Sequence, residues 1–222
     1  MRSALRTFFL LIGVVAFLPA DVLYNVTVDT TSLLNSNGYI DFQLGPSGNS
    51  QPATVSILNF STNGLLNGAD VFWAGDVSGA LPGTLSIGNS TQFNDYFAAI
   101  RFGTNLSYRL NFSGDAVNAP NGGQQAGNRF AFGLFAADQT TPLGTKDPFG
   151  SLFIISLNSD GTIVVDTSSA VIPTSVVPQS VSETPEPRTI GLLGASLLGW
   201  FGLRRFVNDK LGDVTSKRGL QN

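Results

Sequence analysis

Leu106, Tyr108, Leu110 and Phe112 alternate with Ser107, Arg109 and Asn111. A run of period two puts every apolar side chain on one face of a β-strand and every polar one on the other. On a helix the same residues would scatter round the whole circumference, so this pattern restricts the chain to half-buried sheet. It recurs where Tyr24, Val26 and Val28 alternate with Asn25, Thr27 and Asp29, and where Ile40, Phe42 and Leu44 alternate with Asp41 and Gln43. Further strands are predicted over residues 54–60, 71–74, 84–87, 96–102, 130–136, 151–157 and 162–166. Clusters of Gly, Asn, Asp and Pro separate them, as at Gly45-Pro46-Ser47-Gly48 and Asn158-Ser159-Asp160-Gly161. Short strands with such turns, and no helical stripe between them, predict an all-β fold: an antiparallel β-sandwich of jelly-roll type over residues 21–170.

Two stretches echo one another. Val26-Thr27-Val28-Asp29-Thr30-Thr31-Ser32 resembles Ile163-Val164-Val165-Asp166-Thr167-Ser168-Ser169, and Leu58-Asn59-Phe60-Ser61 recurs as Leu110-Asn111-Phe112-Ser113. The spacing is irregular, whereas a solenoid or propeller needs a fixed period, so similar strand chemistry is the better explanation.

The two ends carry a different signature. Arg2 and Arg6 precede an apolar stretch over residues 8–18 and then Pro19-Ala20, the layout of a secretory signal peptide over residues 1–20. Cleavage is expected after Ala20, with Ala16 as the alternative because Leu18 is large for the minus-three position. From residue 171 to 184 the composition shifts to Pro, Ser, Thr, Val and Gln, which predicts an extended stalk. Pro185-Glu186-Pro187 follows, then an apolar run over residues 190–203, then Arg204-Arg205. A basic pair directly behind an apolar run stays on the cytoplasmic side, which leaves residues 207–222 as a cytoplasmic tail. Fourteen residues make a helix of roughly 21 Å, short of the ~30 Å hydrocarbon core. Snorkelling arginines and local thinning of the bilayer allow such a helix to span.

This tripartite tail, over residues 183–206, resembles the PEP-CTERM signal of bacterial proteins processed by exosortases. The resemblance implies that Pro185, Glu186, Pro187, Arg204 and Arg205 are recognition elements for an exosortase-type enzyme, with cleavage near the Pro-Glu-Pro. The chain departs from the family pattern by continuing through residues 207–222. The body, from Val22 to the hairpin at Asn158, also resembles a group of PEP-CTERM proteins without an assigned activity. That resemblance implies a secreted bacterial sandwich at the cell surface or in the exopolysaccharide matrix.

Between Asp21 and Ser182 eleven aspartates face four cations, Arg101, Arg109, Arg129 and Lys146, giving a net charge of −7. Nucleic-acid binding needs a concentrated basic face and is excluded as a partner class. The chain has neither histidine nor cysteine, which removes the usual near-neutral base, thiolate nucleophiles and the commonest metal ligands. No nucleophile elbow, P-loop or dinucleotide fingerprint occurs. No catalytic residue, no metal ligand and no cofactor is therefore assigned, and a non-enzymatic protein is expected.

Three weaker alternatives remain from the residues. Asp70, Asp76 and Asp95 are the candidates for a two-carboxylate glycosidase, although aspartates beside Gly or Asn are usually turn residues. Asn158, Asp160 and Thr162 form the nearest calcium-like run, which an Asp-Gly hairpin turn explains better. Trp73 and Tyr96, with Phe97, Asn94, Asp95 and Asp70 close in sequence, suggest a platform for extracellular polysaccharide. The competing role for these aromatics is to fill the core, and seventeen phenylalanines favour it. Five Asn-x-Ser/Thr triplets, at Asn25, Asn59, Asn89, Asn105 and Asn111, read as polar outward faces.

Overall fold

The computed structural model describes residues 21–46, 50–122 and 128–179. The signal segment 1–20, the Pro185, Glu186, Pro187, Arg204 and Arg205 motif, the apolar run and the tail lie outside the described residues.

Among the described residues twelve strands form two antiparallel six-stranded sheets. The first sheet contains β1 (Val22–Asp29), β3 (Thr54–Thr62), β5 (Val77–Gly79), β6 (Leu85–Gly88), β8 (Asn105–Ser113) and β12 (Thr174–Gln179), in the spatial order β12-β1-β8-β3-β6-β5. The second contains β2 (Asn37–Pro46), β4 (Leu65–Ala74), β7 (Asp95–Arg101), β9 (Asn128–Ala136), β10 (Ser151–Leu157) and β11 (Ile163–Asp166), in the order β11-β10-β9-β2-β7-β4. One helical turn, α1 (Asp115–Asn118), and one 3-10 turn, Thr31–Leu33, complete the described elements.

Alternation in the sequence is alternation in burial. In β8 the apolar Leu106, Tyr108, Leu110 and Phe112 are buried and the residues between them are not. The two sheets pack their apolar faces together, and aromatic rings make the joint. Phe42 of the second sheet meets Tyr108 of the first edge-on at 5.4 Å, Phe132 meets Tyr108 at 5.3 Å, and Phe112 meets Phe130 at 5.8 Å. Such offset and T-shaped contacts suit the ring quadrupole better than a face-to-face sandwich does.

β3 shows how one extra residue preserves this pattern. Val55 and Ile57 point inward, so strict alternation would put Asn59 in the core next. Its register against β8 shifts between Leu58 and Ser61, and Asn59 takes a positive φ of 54°. The shift turns Phe60 inward instead, where it stacks on Tyr108 with ring centroids 6.0 Å apart. Asparagine tolerates the left-handed region better than most residues, which suits it to the bulge.

All ten predicted strands are present, and β5 and β12 add to them. β12 corrects the predicted domain boundary, because residues 174–179 lie within the segment 171–184 assigned to a stalk. They pair with β1 from Thr174 opposite Val28 to Gln179 opposite Leu23, and Val176 packs against the core. Pro178 made the segment look like linker, but proline is compatible with an edge strand. The Asn158-to-Thr162 turn joins β10 to β11 as expected, with Gly161 at φ 85°.

The two echoes behave as shared strand-end chemistry. Asp29 ends β1 and its Oδ1 accepts from Thr31 N at 2.9 Å; Asp166 ends β11 and its Oδ1 accepts from Ser168 N at 2.8 Å. Both are Asx turns that stop a strand.

Candidate functional site on the outer face of the second sheet

The outward positions of the second sheet are not ordinary solvated residues. Inward Ile40, Phe42 and Leu44 leave Tyr39, Asp41 and Gln43 on the outer face of β2. Their neighbours across β7 are Ala99, Phe97 and Asp95, and across β9 they are Phe135, Gly133 and Ala131. Tyr39 and Phe97 stack almost parallel, with centroids 4.7 Å apart, and Phe97 meets Phe135 at 5.7 Å. Glycines allow the aromatic cover to close. A Cβ on Gly133 would lie 2.7 Å from the carbonyl of Gly150, and one on Gly150 would strike the Phe135 ring.

Beside this aromatic group sit two carboxyls. Asp41 and Asp95 are only 6% and 7% exposed, and the Oδ1 of each is buried without a hydrogen-bond partner. Gln43 Nε2 donates to Asp41 Oδ2 at 2.7 Å. Burial pushes the Asp41 carboxyl up to about 9, reinforced by the hydrogen bond and charge of Asp95. Burial also raises Asp95, while the hydrogen bond from Asp41 holds it lower. Two buried acids in contact resist ionising together, and burial, the larger cause, with the charge of Asp95 makes Asp41 the one that keeps its proton to higher pH.

A second polar group lies further along the same face. Tyr39 Oη donates to Asp70 Oδ2 at 2.9 Å and accepts from Gln139 Nε2 at 2.9 Å. β4 carries an irregularity between Leu66 and Val71, and this displaced segment borders a cavity of about 470 Å³. Asn37, Tyr39, Asn67, Asp70 and Arg101 supply its polar wall. Bulges often re-aim side chains beside binding sites, and here the bulge carries Asp70.

The predicted site residues are separated. Trp73 and Tyr96 do face one another across β4 and β7, but Tyr96 is 2% exposed and its hydroxyl accepts from Leu81 N at 3.2 Å. Tyr96 is core, which corrects its place in a ligand platform; Trp73, on the edge strand, is 59% exposed. Asn94 is also structural: its Nδ2 donates to the carbonyls of Leu44 and Thr91, and its Oδ1 accepts from Asp76 N at 2.8 Å. Of the three candidate acids, Asp95 pairs with Asp41, Asp70 is held by Tyr39, and Asp76 lies beyond the end of β4, where it accepts from Ser90 N at 3.4 Å.

Other acids are turn residues. Asp138 accepts from Thr140 N, Thr141 N and Thr141 Oγ1, and these bonds lower its carboxyl to about 2. Asp160 accepts from both Thr162 N and Thr162 Oγ1, closing the β10–β11 hairpin. Asp41 is the residue that sequence inspection passed over. Its alternation made it look like any outward polar residue, and the one signal available was an aspartate in a strand flanked by large apolar residues rather than by Gly or Asn. Comparisons with protein-family models, curated proteins and solved structures found no match.

Proposed function

We propose that this chain is an exported, non-enzymatic protein of the bacterial cell surface or extracellular matrix. Residues 1–20 direct export, and a jelly-roll-like sandwich forms the exported body. The apolar helix over residues 190–203 holds the chain in the membrane until an exosortase-type enzyme acts at Pro185-Glu186-Pro187. The observation that carries this proposal is the order Pro-Glu-Pro, apolar run, Arg204-Arg205 at one end, with a signal-peptide layout at the other. The body's acids support a passive role, since five of them, Asp29, Asp138, Asp147, Asp160 and Asp166, are engaged in turn hydrogen bonds. The mass of the two terminal peptides in membrane and extracellular fractions tests it. A start near Asp21 with an end near Pro185 outside the cell supports the proposal, and a chain intact to Asn222 in membranes alone overturns the processing step.

A second function, a carbohydrate-binding module, is favoured by the cavity beside Tyr39. Its wall brings the Tyr39 ring together with a carboxylate, a guanidinium and amides, groups suited to sugar hydroxyls. Saturable binding to the producer's polysaccharide that is lost in Asp70→Ala, with folding unchanged, would support it. No binding by the wild-type chain to that polysaccharide would end it.

A further inference from the structure

Among the described residues four strands border the two sheets: β12 and β5 in the first, β11 and β4 in the second. An edge strand presents unpaired N–H and C=O groups, and proteins normally blunt it with shortness, charge, proline or a bulge. β5 has three residues, β11 has four and ends on the exposed Asp166, and β12 contains Pro178. β4 has ten, and its irregularity disturbs only the part between Leu66 and Val71. The remaining stretch, Val71-Phe72-Trp73-Ala74, is regular, uncharged and free of proline, and both Phe72 and Trp73 are 59% exposed.

We propose that this stretch of β4 pairs with the same stretch of a second copy, joining two second sheets into one continuous sheet across a two-fold axis. A two-fold interface needs a strand complementary to itself, and the charge pattern of β4 selects one register. Copies related by an axis normal to the sheet oppose residues of the same face. A centre at Trp73 would set Asp70 against Asp76 of the other copy twice over, and directly opposed like charges are unfavourable. A centre at Val71 would draw the irregular segment into the ladder. A centre at Phe72 sets Val71 against Trp73 and Asp70 against Ala74, so that no two acids oppose one another. On a body of net charge −7, this strip carries no charge of its own, so pairing along it opposes no like charges. Phe72 lies opposite Phe97 in register, on the face where Phe97 stacks with Tyr39. A second Phe72 thereby extends an existing aromatic row.

The absence of cysteine makes the register directly testable. Single-cysteine variants of the full chain, Phe72→Cys and Val164→Cys, are oxidised in detergent micelles and run under denaturing, non-reducing conditions. Both parent side chains are more than half exposed, at 59% and 51%, so neither change disturbs the core. The expected result is a covalent dimer from Phe72→Cys in clear excess over Val164→Cys, because opposed positions bring their Cβ atoms to about 5 Å. Sedimentation of Phe72→Lys is expected to show self-association weakened by about tenfold or more, through lost apolar burial and two opposed ammonium groups. Equal cross-linking at both positions, or undiminished self-association of Phe72→Lys, would overturn the proposal. So would a wild-type chain that stays monomeric at every concentration, including the case in which another protein's strand occupies the edge.

Discussion

The two sheets obey the same alternation and yet present different surfaces. Outside the first sheet lie mostly polar residues, Asn25, Thr27, Ser56, Ser86, Ser107, Arg109 and Asn111, with Leu23 and Leu58 among them and with Ser56 and Ser86 sharing a 3.1 Å hydrogen bond across strands. Outside the second lie Tyr39, Phe97, Phe135, Phe72 and the buried pair of Asp41 and Asp95. A period of two decides only which residues leave the core. What they do once outside depends on neighbours supplied by distant strands. The first sheet is the baseline against which the second stands out.

The largest effect tests whether both surfaces rest on one core. Phe132 is fully buried and contacts Phe42, Tyr108 and Phe153. Phe132→Ala is expected to cost about 3–5 kcal/mol through lost burial and a residual cavity, read as a lower midpoint in denaturant unfolding. A single transition for the variant, followed by both tryptophan fluorescence and far-ultraviolet dichroism, is the expected sign that the sheets unfold together.

The acid pair gives the next effect and is specific to the second sheet. Asp41→Ala leaves Asp95 buried without its donor, and a loss of about 1–3 kcal/mol is expected. Its pH dependence has a definite sign. The folded state keeps a proton on Asp41 at pH values where the unfolded chain, with an ordinary carboxyl, has released it. The contribution of this pair to stability is therefore fully present below the ordinary carboxylate range and is lost as pH rises through the window up to about 9. Asp41→Asn retains a donor for Asp95 and has nothing to ionise, so the slope of stability against pH should flatten. A slope unchanged in that variant would show that Asp41 does not keep its proton.

Smaller effects separate the two outer faces. Tyr39→Phe removes the hydroxyl between Asp70 and Gln139, and a loss of about 0.5–1.5 kcal/mol is expected for one hydrogen-bonded group. Thr27→Ala, at an exposed outward position of the first sheet, is expected to stay within about 0.5 kcal/mol of the parent. Equal costs at the two positions, measured by chemical denaturation, would erase the distinction drawn between the faces.

Much of the scaffold was legible before any coordinates. Ten strands announced themselves by alternation, and the Asp-Gly turn after Asn158 announced a hairpin. β12 was hidden because Pro178, together with the serines and valines around it, carries the composition of linker as readily as that of an edge strand. Only pairing with β1 tells the two apart. β5 was hidden because three residues cannot display a period. The candidate site was mostly illegible. Trp73 and Tyr96 belong to one facing pair, but Tyr96 sits beneath the opposite sheet while Trp73 stands at an edge, and sequence does not say which strand lies at an edge.

The sequence by itself determined the fold class, the inward residues of most strands, the acidity of the body and the order of motifs at the two ends. Each of these follows from local chemistry: the pleat has a period of two, turns require particular residues, and charge is additive. Tertiary structure alone decided that Asp41 meets Asp95, that Asp70 meets Tyr39 and Gln139, and that β4 borders its sheet among the described residues. Those outcomes depend on strand order and register, which are set by the packing of residues far apart in the chain and leave no periodic trace within any one segment.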